Sequence, residues 1–552
     1  MPYLNPIDIM KFLMSHHPSL VVGGIKDPTL RSQHLQAFWE AYKENHPHHP
    51  VFREHEHGLC RVIPMCYHGD EGRGKRRGNT TVLSMESVLG IYTGWNLQIG
   101  KHSCTSCCPP PSALNKFPAR SATTCGRWDS HIEALQTNMK GHSYLQHYPL
   151  YVLPGAMYKE HRSLLDACLS TMSLQFRQAF FDGFEDNQGH VWFLAIVGFK
   201  GDLKFFARAG YLQRSFEHVG RVRNLEMCHE CLGGSSEYPF EEVTSDTPKW
   251  IQTIYSQRPW VNEPPLLKIP YHPNEPERQM KKDCFHLCKV GIYRDFVACS
   301  ILWLLSVGYF GHDGDVDTKL GRAYKVFYLF CSTTGRTPGL RSFNKNFFNF
   351  PKLSSFGWAN TKGSDTMHLV AWIKVLCVSC KNDLLSQEHL EAINLISFTA
   401  DAASTFFRRV NSHGLFLTFH CGVALWADLR SFIRGYAALA HLSFTKLKFP
   451  GFSMKPKLHL LRHLEHDIFT ILSNPNCRFL WNPIAHGCEM NEDFIGRACR
   501  LSRKCSTQLL CQRVLQSILL KADFLNRRWQ QFGPRSCGRS SKSKAAQRIR
   551  GK

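Results

Sequence analysis

The chain lacks an apolar segment long enough to cross a membrane. Its longest apolar stretch, residues 296–310, contains Ser and Gly and falls short of the roughly 20 residues that a membrane-spanning helix needs. Residues 1–17 also lack the basic start and the clean apolar stretch that are typical of a signal peptide. We therefore expect an intracellular protein that is not secreted and has no membrane as partner.

Acidic residues are scarce relative to basic ones. The sequence contains 44 Asp and Glu against 67 Lys and Arg, which gives a formal net charge of +23. This charge favours a polyanion as partner, and we find no basic amphipathic helix or lipidation motif that would favour a membrane surface over nucleic acid. The tail, residues 531–552, contains no acid and is predicted to be disordered, with a nuclear address or a DNA-binding arm as its candidate roles. We predict DNA as the partner and the nucleus as the location.

Cysteine is abundant, with 22 residues. In a long chain without a secretion signal, such cysteines are expected to be thiols or metal ligands rather than a disulfide framework. Cys228 and Cys231 have the spacing of half a structural zinc site, which needs two more thiolates or imidazoles to complete a tetrahedron. We predict a structural Zn²⁺ held by this pair together with His286 and Cys288.

Other interpretations of the metal-binding residues stay open. Cys284 and His229 could also supply ligands, and two buried thiols is the competing interpretation of the Cys-x-x-Cys pair. The Cys-rich insert at residues 101–130 is a weaker candidate for a second zinc site, because its spacing is less regular. His459 and His463 lie at i and i+4, but no Glu stands between them as a metalloprotease would need, so we interpret them as packed or hydrogen-bonded histidines.

The pattern of apolar residues predicts an α/β region before residue 210. Strands are expected at residues 61–68, 80–92 and 147–153, followed by a helix at 159–181 with one apolar face. Residues 191–199 form a continuous apolar run, which is typical of a central strand covered on both sides.

Two carboxylates directly follow predicted strands. Asp70 comes just beyond the first strand and Asp202 just beyond the fourth, so parallel pairing of these strands would bring the two acids together. Glu492 begins a predicted helix that could reach the same point, with Glu489 and Asp493 as competing positions. Two-metal phosphoryl transfer needs such converging carboxylates, because they hold two divalent cations about 4 Å apart.

The order of several motifs resembles that of the transposases of CACTA (En/Spm-type) DNA elements, over roughly residues 60–510. In that family, an Asp-Gly motif follows the first strand and a second Asp follows the fourth. A Cys-Pro-x-Cys pair, an Asp-x-Met-His-x-x-Lys-Asn motif, a His-Leu-Leu-x-His-Leu segment and a final Glu before Gly-Lys come after them. The matching segments here are His68-Gly69-Asp70, Gly201-Asp202, Cys228-His229-Glu230-Cys231, Asp283-Cys284-Phe285-His286-Leu287-Cys288-Lys289, His459-Leu460-Leu461-Arg462-His463-Leu464 and Glu492-Asp493-Phe494-Ile495-Gly496-Arg497. The chain departs from the family pattern at Glu71, Val290 and Arg497, where the family has Gly, Asn and Lys.

The resemblance implies a ribonuclease H-like α/β fold, in which a mixed sheet core is interrupted by a large all-α insert and carries a small zinc-knuckle insertion. It implies that Asp70, Asp202 and Glu492 bind Mg²⁺ or Mn²⁺ and catalyse DNA hydrolysis and strand transfer. Basic residues near these acids are the predicted nucleic-acid contacts, namely Arg73, Lys75, Arg76, Arg77, Arg497 and Arg500. The alternative is a catalytically inactive, transposon-derived DNA-binding or structural protein, and a homo-oligomer stays open in either case.

The predicted organisation has six parts. They are an irregular N-terminal segment (1–60), the first part of the core (61–225), a Cys-x-x-Cys knuckle with a Pro- and Trp-rich connector (226–282), a helical insert domain (283–475), a C-terminal helical part that completes the core (476–530) and the basic tail (531–552).

Overall fold

The computed structural model describes residues 2–74, 78–94, 109–118, 130–219, 225–350, 355–383, 387–506 and 508–533. Predictions that fall on Lys75, Arg76 and Arg77, on the cysteines between residues 101 and 129, and on the tail beyond residue 533 lie outside these ranges. The chain is a mixed α/β protein, as predicted, with one mixed five-stranded sheet and a large helical region. Among the described residues, no helix is long and apolar enough to cross a membrane.

The main sheet has the strand order β3-β2-β1-β5-β4. Its strands are β1 (Val62–Arg73), β2 (Asn79–Ser87), β3 (His147–Pro154), β4 (Phe184–Glu185) and β5 (Val191–Lys200). β1, β2 and β3 pair antiparallel in sequence order, β5 pairs parallel to β1, and β4 pairs antiparallel to β5. The four predicted strands are therefore present, and the short β4 is additional.

The N-terminal segment is helical, so the prediction of an irregular segment at residues 1–60 is wrong. Helix α1 (Pro6–His16) is capped by Asn5, and helix α2 (Pro28–Asn45) is capped by Asp27. Each begins with the capping residue followed directly by Pro, a strong local signal for a helix start. Helix α2 lies against the sheet core, where the Trp39 indole donates a hydrogen bond to the backbone oxygen of Val62.

Helix α3 (Arg162–Phe181) packs on β5, and helix α4 (Leu203–Ala209) follows that strand. One-turn helices lie at Val51–Glu54, Pro111–Leu114, Ser130–Ala134, Ser143–Gln146 and Gly155–Glu160. Short 3₁₀ segments lie at Pro18–Leu20, Leu59–Arg61, Phe216–His218, Lys249–Thr253, Pro265–Lys268, Pro276–Gln279 and Pro483–His486. Three of these seven lie in the predicted connector (226–282), so that part of the chain is locally ordered although it has no long helix or strand.

The region after residue 283 is predominantly helical and has its own hydrophobic core. It begins with a π-helical turn at Phe285–Ile292, which is kinked at Val290 and Gly291. The helices are α5 (Tyr293–Ser306), α6 (Val316–Thr333), α7 (Gly363–Asp383), α8 (Gln387–Ser412), α9 (Phe419–Thr445) and α10 (Pro456–Ser473). A small antiparallel pair, β6 (Phe416–Thr418) with β7 (Phe479–Trp481), connects this region to the C-terminal part of the chain.

The C-terminal part returns to the sheet. Helix α11 (Glu489–Ser502) contacts β1 and β2, and helix α12 (Leu510–Phe532) contacts β3. A third, smaller hydrophobic cluster holds them there, formed by residues such as Val82, Val152, Phe494 and Val514. Residues that are far apart in sequence therefore meet at the end of β1.

Candidate active site and metal centre

Asp70 lies inside β1 and not beyond it, which corrects the predicted end of the first strand. The strand continues to Arg73, and Asp70 is paired with Val82 of β2. The parallel register places His68 opposite Lys200, so β1 runs on past the end of β5, and Asp70 and Asp202 each lie two residues beyond this last parallel pair. Asp202 follows β5 and caps helix α4, with its Oδ1 accepting a hydrogen bond of 2.6 Å from the backbone N–H of Phe205.

Two glycines allow helices to approach β1 closely on either side of Asp70. A Cβ at Gly69 would lie 2.2 Å from the Phe205 ring, in the helix that Asp202 caps. A Cβ at Gly72 would lie 2.5 Å from Cys499 Sγ and 2.7 Å from Ile495 Cγ2, both in helix α11. These distances are shorter than van der Waals contact, so any larger residue would push the helices away. The glycines thus permit the helices that carry the other two acids to pack directly on β1.

Glu492 is the member of the predicted C-terminal acidic group that faces Asp70. Its carboxylate, the Asp70 carboxylate and the His286 imidazole each offer an atom within 4.8 Å of the others. Glu489 instead forms an ion pair with Lys289, and Asp493 forms one with Arg497 at 2.6 Å. The structure therefore distinguishes between the three acids that the sequence left open.

His286 joins this group, and it is not part of the cysteine cluster for which it was predicted. Its Nε2 lies 3.4 Å from Glu492 Oε1, and its Nδ1 lies 2.6 Å from Asp283 Oδ2. The Asp283 carboxylate also accepts backbone hydrogen bonds from Phe285 and Cys488, which fixes its position. Asp283 thereby orients the imidazole toward Glu492.

The pKa values of Asp70, His286 and Glu492 are all shifted from their usual values. Burial, and then the negative charges of Asp202 and Glu492, raise the pKa of Asp70 well above its usual value. Burial works to lower the pKa of His286, but its hydrogen bonds to Asp283 and Glu492 raise it to about 10. Burial also opposes ionisation of Glu492, yet the hydrogen bond from His286, the positive charge of that ring and the hydrogen bond with Asp70 together outweigh it and lower the pKa. A bound cation would relieve the repulsion that Asp70 experiences.

A cavity of about 200 Å³ lies beside Asp70 and Asp202, with Lys204 and Arg208 among its lining residues. Arg208 is paired with Glu71, whose carboxylate also accepts hydrogen bonds from Tyr158 and from Asn79. The charge of Glu71, one of the departures from the family pattern, is therefore balanced by its own partners. Sequence reasoning missed Lys204 and Arg208, although both follow Asp202 within one short helix.

Of the predicted nucleic-acid contacts, three lie in described parts of the chain. Arg73 is exposed at the end of β1, and its backbone oxygen accepts a hydrogen bond of 2.9 Å from Arg503 of the segment after α11. Arg500 is exposed one turn before Arg503. The guanidinium group of Arg497 forms an ion pair with Asp493. Arg73, Arg500 and Arg503 therefore form a basic surface beside the acids.

A buried polar network lies beneath the acids and connects three strands to helix α11. Lys200 Nζ lies 2.6 Å from Glu86 Oε1, and the other Glu86 oxygen accepts a hydrogen bond of 2.6 Å from the Asn491 amide. His147 of β3 lies 3.4 Å from the same carboxylate. Asn491 lies inside the first turn of α11 and is fully buried. Because Asn491 precedes Glu492, the network anchors the part of α11 that carries the third acid.

A second cluster lies apart from the acids and contains Cys228, Cys231, His459 and His463. These four side chains are almost completely buried, and each offers a ligand atom within 4.8 Å of the others. His459 Nε2 is 3.3 Å from Cys231 Sγ, and His463 Nε2 is 3.5 Å from Cys228 Sγ and 3.1 Å from His459 Nε2. The cluster could hold a metal ion.

The surroundings of this cluster orient its side chains. The other ring nitrogen of His459 lies 3.1 Å from the backbone oxygen of Phe240, and that of His463 lies 3.2 Å from Glu230 Oε2. The Trp250 ring lies 4.5 Å from both imidazoles. Partners of this kind on the second ring nitrogen are typical of metal-binding histidines.

The ligand set therefore differs from the predicted one. Cys228 and Cys231 are present as predicted, but His286 belongs to the acidic site and Cys288 is buried elsewhere in the helical core. The two histidines of α10, interpreted from the sequence as packed side chains, take these positions instead. The pairs lie more than two hundred residues apart, and the combined pattern Cys-x-x-Cys and His-x-x-x-His was the available signal.

The chain was compared with models of known protein families and with curated proteins. No family model matches it, and no curated protein matches it.

Proposed function

We propose that this chain is a transposase-like DNA-processing protein with a ribonuclease H-like core, similar to the transposases of CACTA elements. The proposal rests on the meeting of three acids beside β1: Glu492 and Asp70 offer carboxylate oxygens within 4.8 Å of each other, and Asp202 lines the same cavity as Asp70 and helps to raise its pKa. These acids are separated by 132 and 290 positions in the sequence. Their meeting would be a coincidence if the motif order had no structural meaning.

The sheet supports the same proposal. The order predicted for such a core is three strands, a helix and a strand parallel to the first, and β1, β2, β3, α3 and β5 follow this order, with the short antiparallel β4 as an additional edge strand. The long helical region between β5 and α11 corresponds to the insert that the resemblance implies. His286, which the resemblance places in the Asp-x-x-His motif, contacts the third acid.

The side chains suggest how such a site would work. Divalent cations such as Mg²⁺ or Mn²⁺, held by the three carboxylates, would activate an attacking oxygen and stabilise a leaving oxygen. Asp283 and His286 keep Glu492 ionised and oriented for that task. The exposed Arg73, Arg500 and Arg503 would contact phosphates of the DNA backbone without reading its sequence. DNA binding agrees with a nuclear location, which we propose together with it.

A nicking assay with supercoiled DNA and Mg²⁺ or Mn²⁺ tests this function. We expect the native chain to nick DNA and the Asp70→Asn, Asp202→Asn and Glu492→Gln variants to lose at least about 100-fold in rate, because each removes a metal-binding charge. Glu489→Gln is the matched control, since this neighbouring acid pairs with Lys289 and should keep activity.

The same assay distinguishes the active enzyme from the main alternative. A catalytically inactive, transposon-derived protein would bind DNA but show the same background cleavage in all variants. The departure from the family pattern at Glu71 favours this alternative, whereas the ion pair with Arg208, which balances the charge of Glu71, weighs against it. Sedimentation of the same preparations would decide whether the chain forms a homo-oligomer.

We further propose that the cluster of Cys228, Cys231, His459 and His463 binds a structural zinc ion. Tetrahedral zinc with ligands at about 2.0–2.3 Å separates neighbouring ligand atoms by roughly 3.4–3.8 Å, close to the spacing of these side chains. Burial and a complete set of four ligands without an open position are typical of structural rather than catalytic zinc.

Metal analysis of purified protein tests the zinc site. We expect Cys228→Ser and His463→Asn to contain about one zinc ion fewer per chain than the native protein, because three ligands hold zinc weakly. Cys288→Ser, another buried cysteine and one of the originally predicted ligands, should keep the native content. Equal zinc content in all three variants would reject this ligand set.

A further inference from the structure

A cavity of about 170 Å³ lies between the N-terminal helix α2, the connector and helix α10, apart from the acids and the cysteine cluster. Its volume is well above the about 10–15 Å³ that one water molecule needs and below the about 300 Å³ of a small drug-sized site. Apolar side chains, among them Ile254, Ile468 and Trp481, form part of its wall. The space is therefore suited to a small ligand.

The charges on the cavity wall are mostly positive. Arg278, Lys281 and Lys282 line it, and Asp467 is the single carboxylate among the lining residues that the structure describes. Lys282 is satisfied by Asp467 and Glu230, at 2.8 Å and 2.6 Å. Arg278 is paired with Glu275 and lies over the Tyr255 ring.

Unlike Arg278 and Lys282, Lys281 has no carboxylate partner among the residues that the structure describes. Its side chain is 8% exposed, and its ammonium group donates to the Tyr271 hydroxyl. A buried cation without a counter-charge is costly unless an anion reaches it. The cavity is the place from which such an anion could do so.

Two histidines add neutral donors to the same wall. His486 is 6% exposed and its Nδ1 has no hydrogen-bond partner. Burial, and then the positive charge of Lys281, lower the pKa of both His46 and His486, so both rings are neutral near pH 7 and each can donate one hydrogen bond. A buried ring nitrogen without a hydrogen-bond partner, near an ammonium group whose charge no carboxylate balances, indicates a missing anionic acceptor.

We propose that this cavity binds a phosphate group, either as the free ion or on a small organic body, with Lys281 and His486 as its main contacts. A phosphate has several acceptor oxygens and can therefore satisfy the ammonium and the imidazole at once, whereas chloride offers no directed acceptors. The apolar wall near Trp481 would accept an organic body attached to that phosphate. This site is independent of the proposed DNA chemistry.

Calorimetric titration of the full chain with inorganic phosphate and with AMP tests the proposal and separates the two sources of the phosphate. We expect saturable binding of at least one probe, weakened at least about tenfold in Lys281→Gln and in His486→Gln, because each substitution removes a hydrogen bond to the anion. Lys281→Arg keeps the charge and should keep most of the affinity. Lys249→Gln is the matched control, since this lysine is exposed and lies in the same connector.

The outcomes are distinguishable. Tighter binding of AMP than of phosphate would assign the cavity to an organic phosphate, and equal binding would assign it to the free ion. Absence of saturable binding at millimolar concentrations, or equal affinity in the native chain and both variants, would overturn the proposal. Displacement of the bound probe by a short DNA duplex would also overturn it, because the phosphate would then belong to nucleic acid. If Lys281→Gln does not fold, His486→Gln carries the same test.

Discussion

At the scale of single residues, the most unusual feature is the ion pair between Glu86 and Lys200. The two residues are 2% and 4% exposed, and Glu86 is hydrogen-bonded to Asn491, the neighbour of Glu492. Burial works to raise the pKa of Glu86, but Lys200 and the neighbouring donors lower it, so the charged pair persists in the interior. Such a pair contributes less to stability than its geometry suggests, but removing one partner leaves a buried charge without compensation.

The residue-scale prediction contrasts this pair with an exposed one. Lys200→Met should lower the free energy of unfolding by about 3–5 kcal/mol, because Glu86 is left buried and unpaired. Lys374→Met breaks the exposed ion pair between Lys374 and Asp401 and should cost at most about 1 kcal/mol. Urea unfolding of both variants gives the measurement. Equal losses of unfolding free energy in the two variants would mean that water reaches Glu86.

At the scale of elements, the site depends on how closely two helices pack on β1. Gly69 faces the helix capped by Asp202, and Gly72 faces α11, which carries Glu492. The acids are therefore positioned by backbone contact and not by long side chains reaching across a gap. The Asn491 amide, bound to Glu86, adds a polar contact that fixes the first turn of α11.

The substitution Gly72→Ala tests the close packing of α11 on β1. The added methyl group would overlap Cys499 and Ile495, so α11 must shift, and we expect a loss of about 1–3 kcal/mol in stability. DNA nicking should fall more than stability alone explains, because the shift moves Glu492 away from Asp70. Gly58→Ala is the control, since no atom lies within 4 Å of the added Cβ. Native-like thermal unfolding and nicking of Gly72→Ala would contradict the packing argument.

At the scale of the whole molecule, two large hydrophobic cores divide the structure. One belongs to the sheet and the N-terminal helices, and the other belongs to the helical region. The Cys/His cluster lies in the helical core and joins the connector to α10. A metal bound there would stabilise the helical core more than the sheet.

Chelation of the native protein tests whether a metal at the Cys/His cluster stabilises the helical core. Removing the metal should reduce amide hydrogen-exchange protection in α10 and around residues 226–254 at least about tenfold, while β1 and β5 keep their protection. Cys228→Ser should show the same low protection before and after chelation. A uniform change over both cores, or no change, would mean that the cluster does not stabilise this region specifically.

Local patterns in the sequence predict much of the secondary structure and part of the candidate site. Residues 147–153 and 191–199 predicted strands within one residue of their observed bounds, because apolar pattern and strand formation are local properties. Asp70 and Asp202 were predictable as neighbours, since parallel strands place their ends at one edge. The helices near the N-terminus were also encoded locally, in the Asn5-Pro6 and Asp27-Pro28 starts, but the irregular composition around them obscured the signal.

Which distant side chains meet depends on the tertiary packing of the helices and strands. The choice of Glu492 over Glu489 and Asp493 depends on the rotation of α11 against Gly72, and no local pattern contains that angle. The assignment of His286 to the acids and of His459 and His463 to the two cysteines depends on the packing of helices more than two hundred residues from their partners. The membership of both clusters follows from long-range packing, because the type of a side chain determines what it can bind, whereas the fold determines which other side chains it contacts.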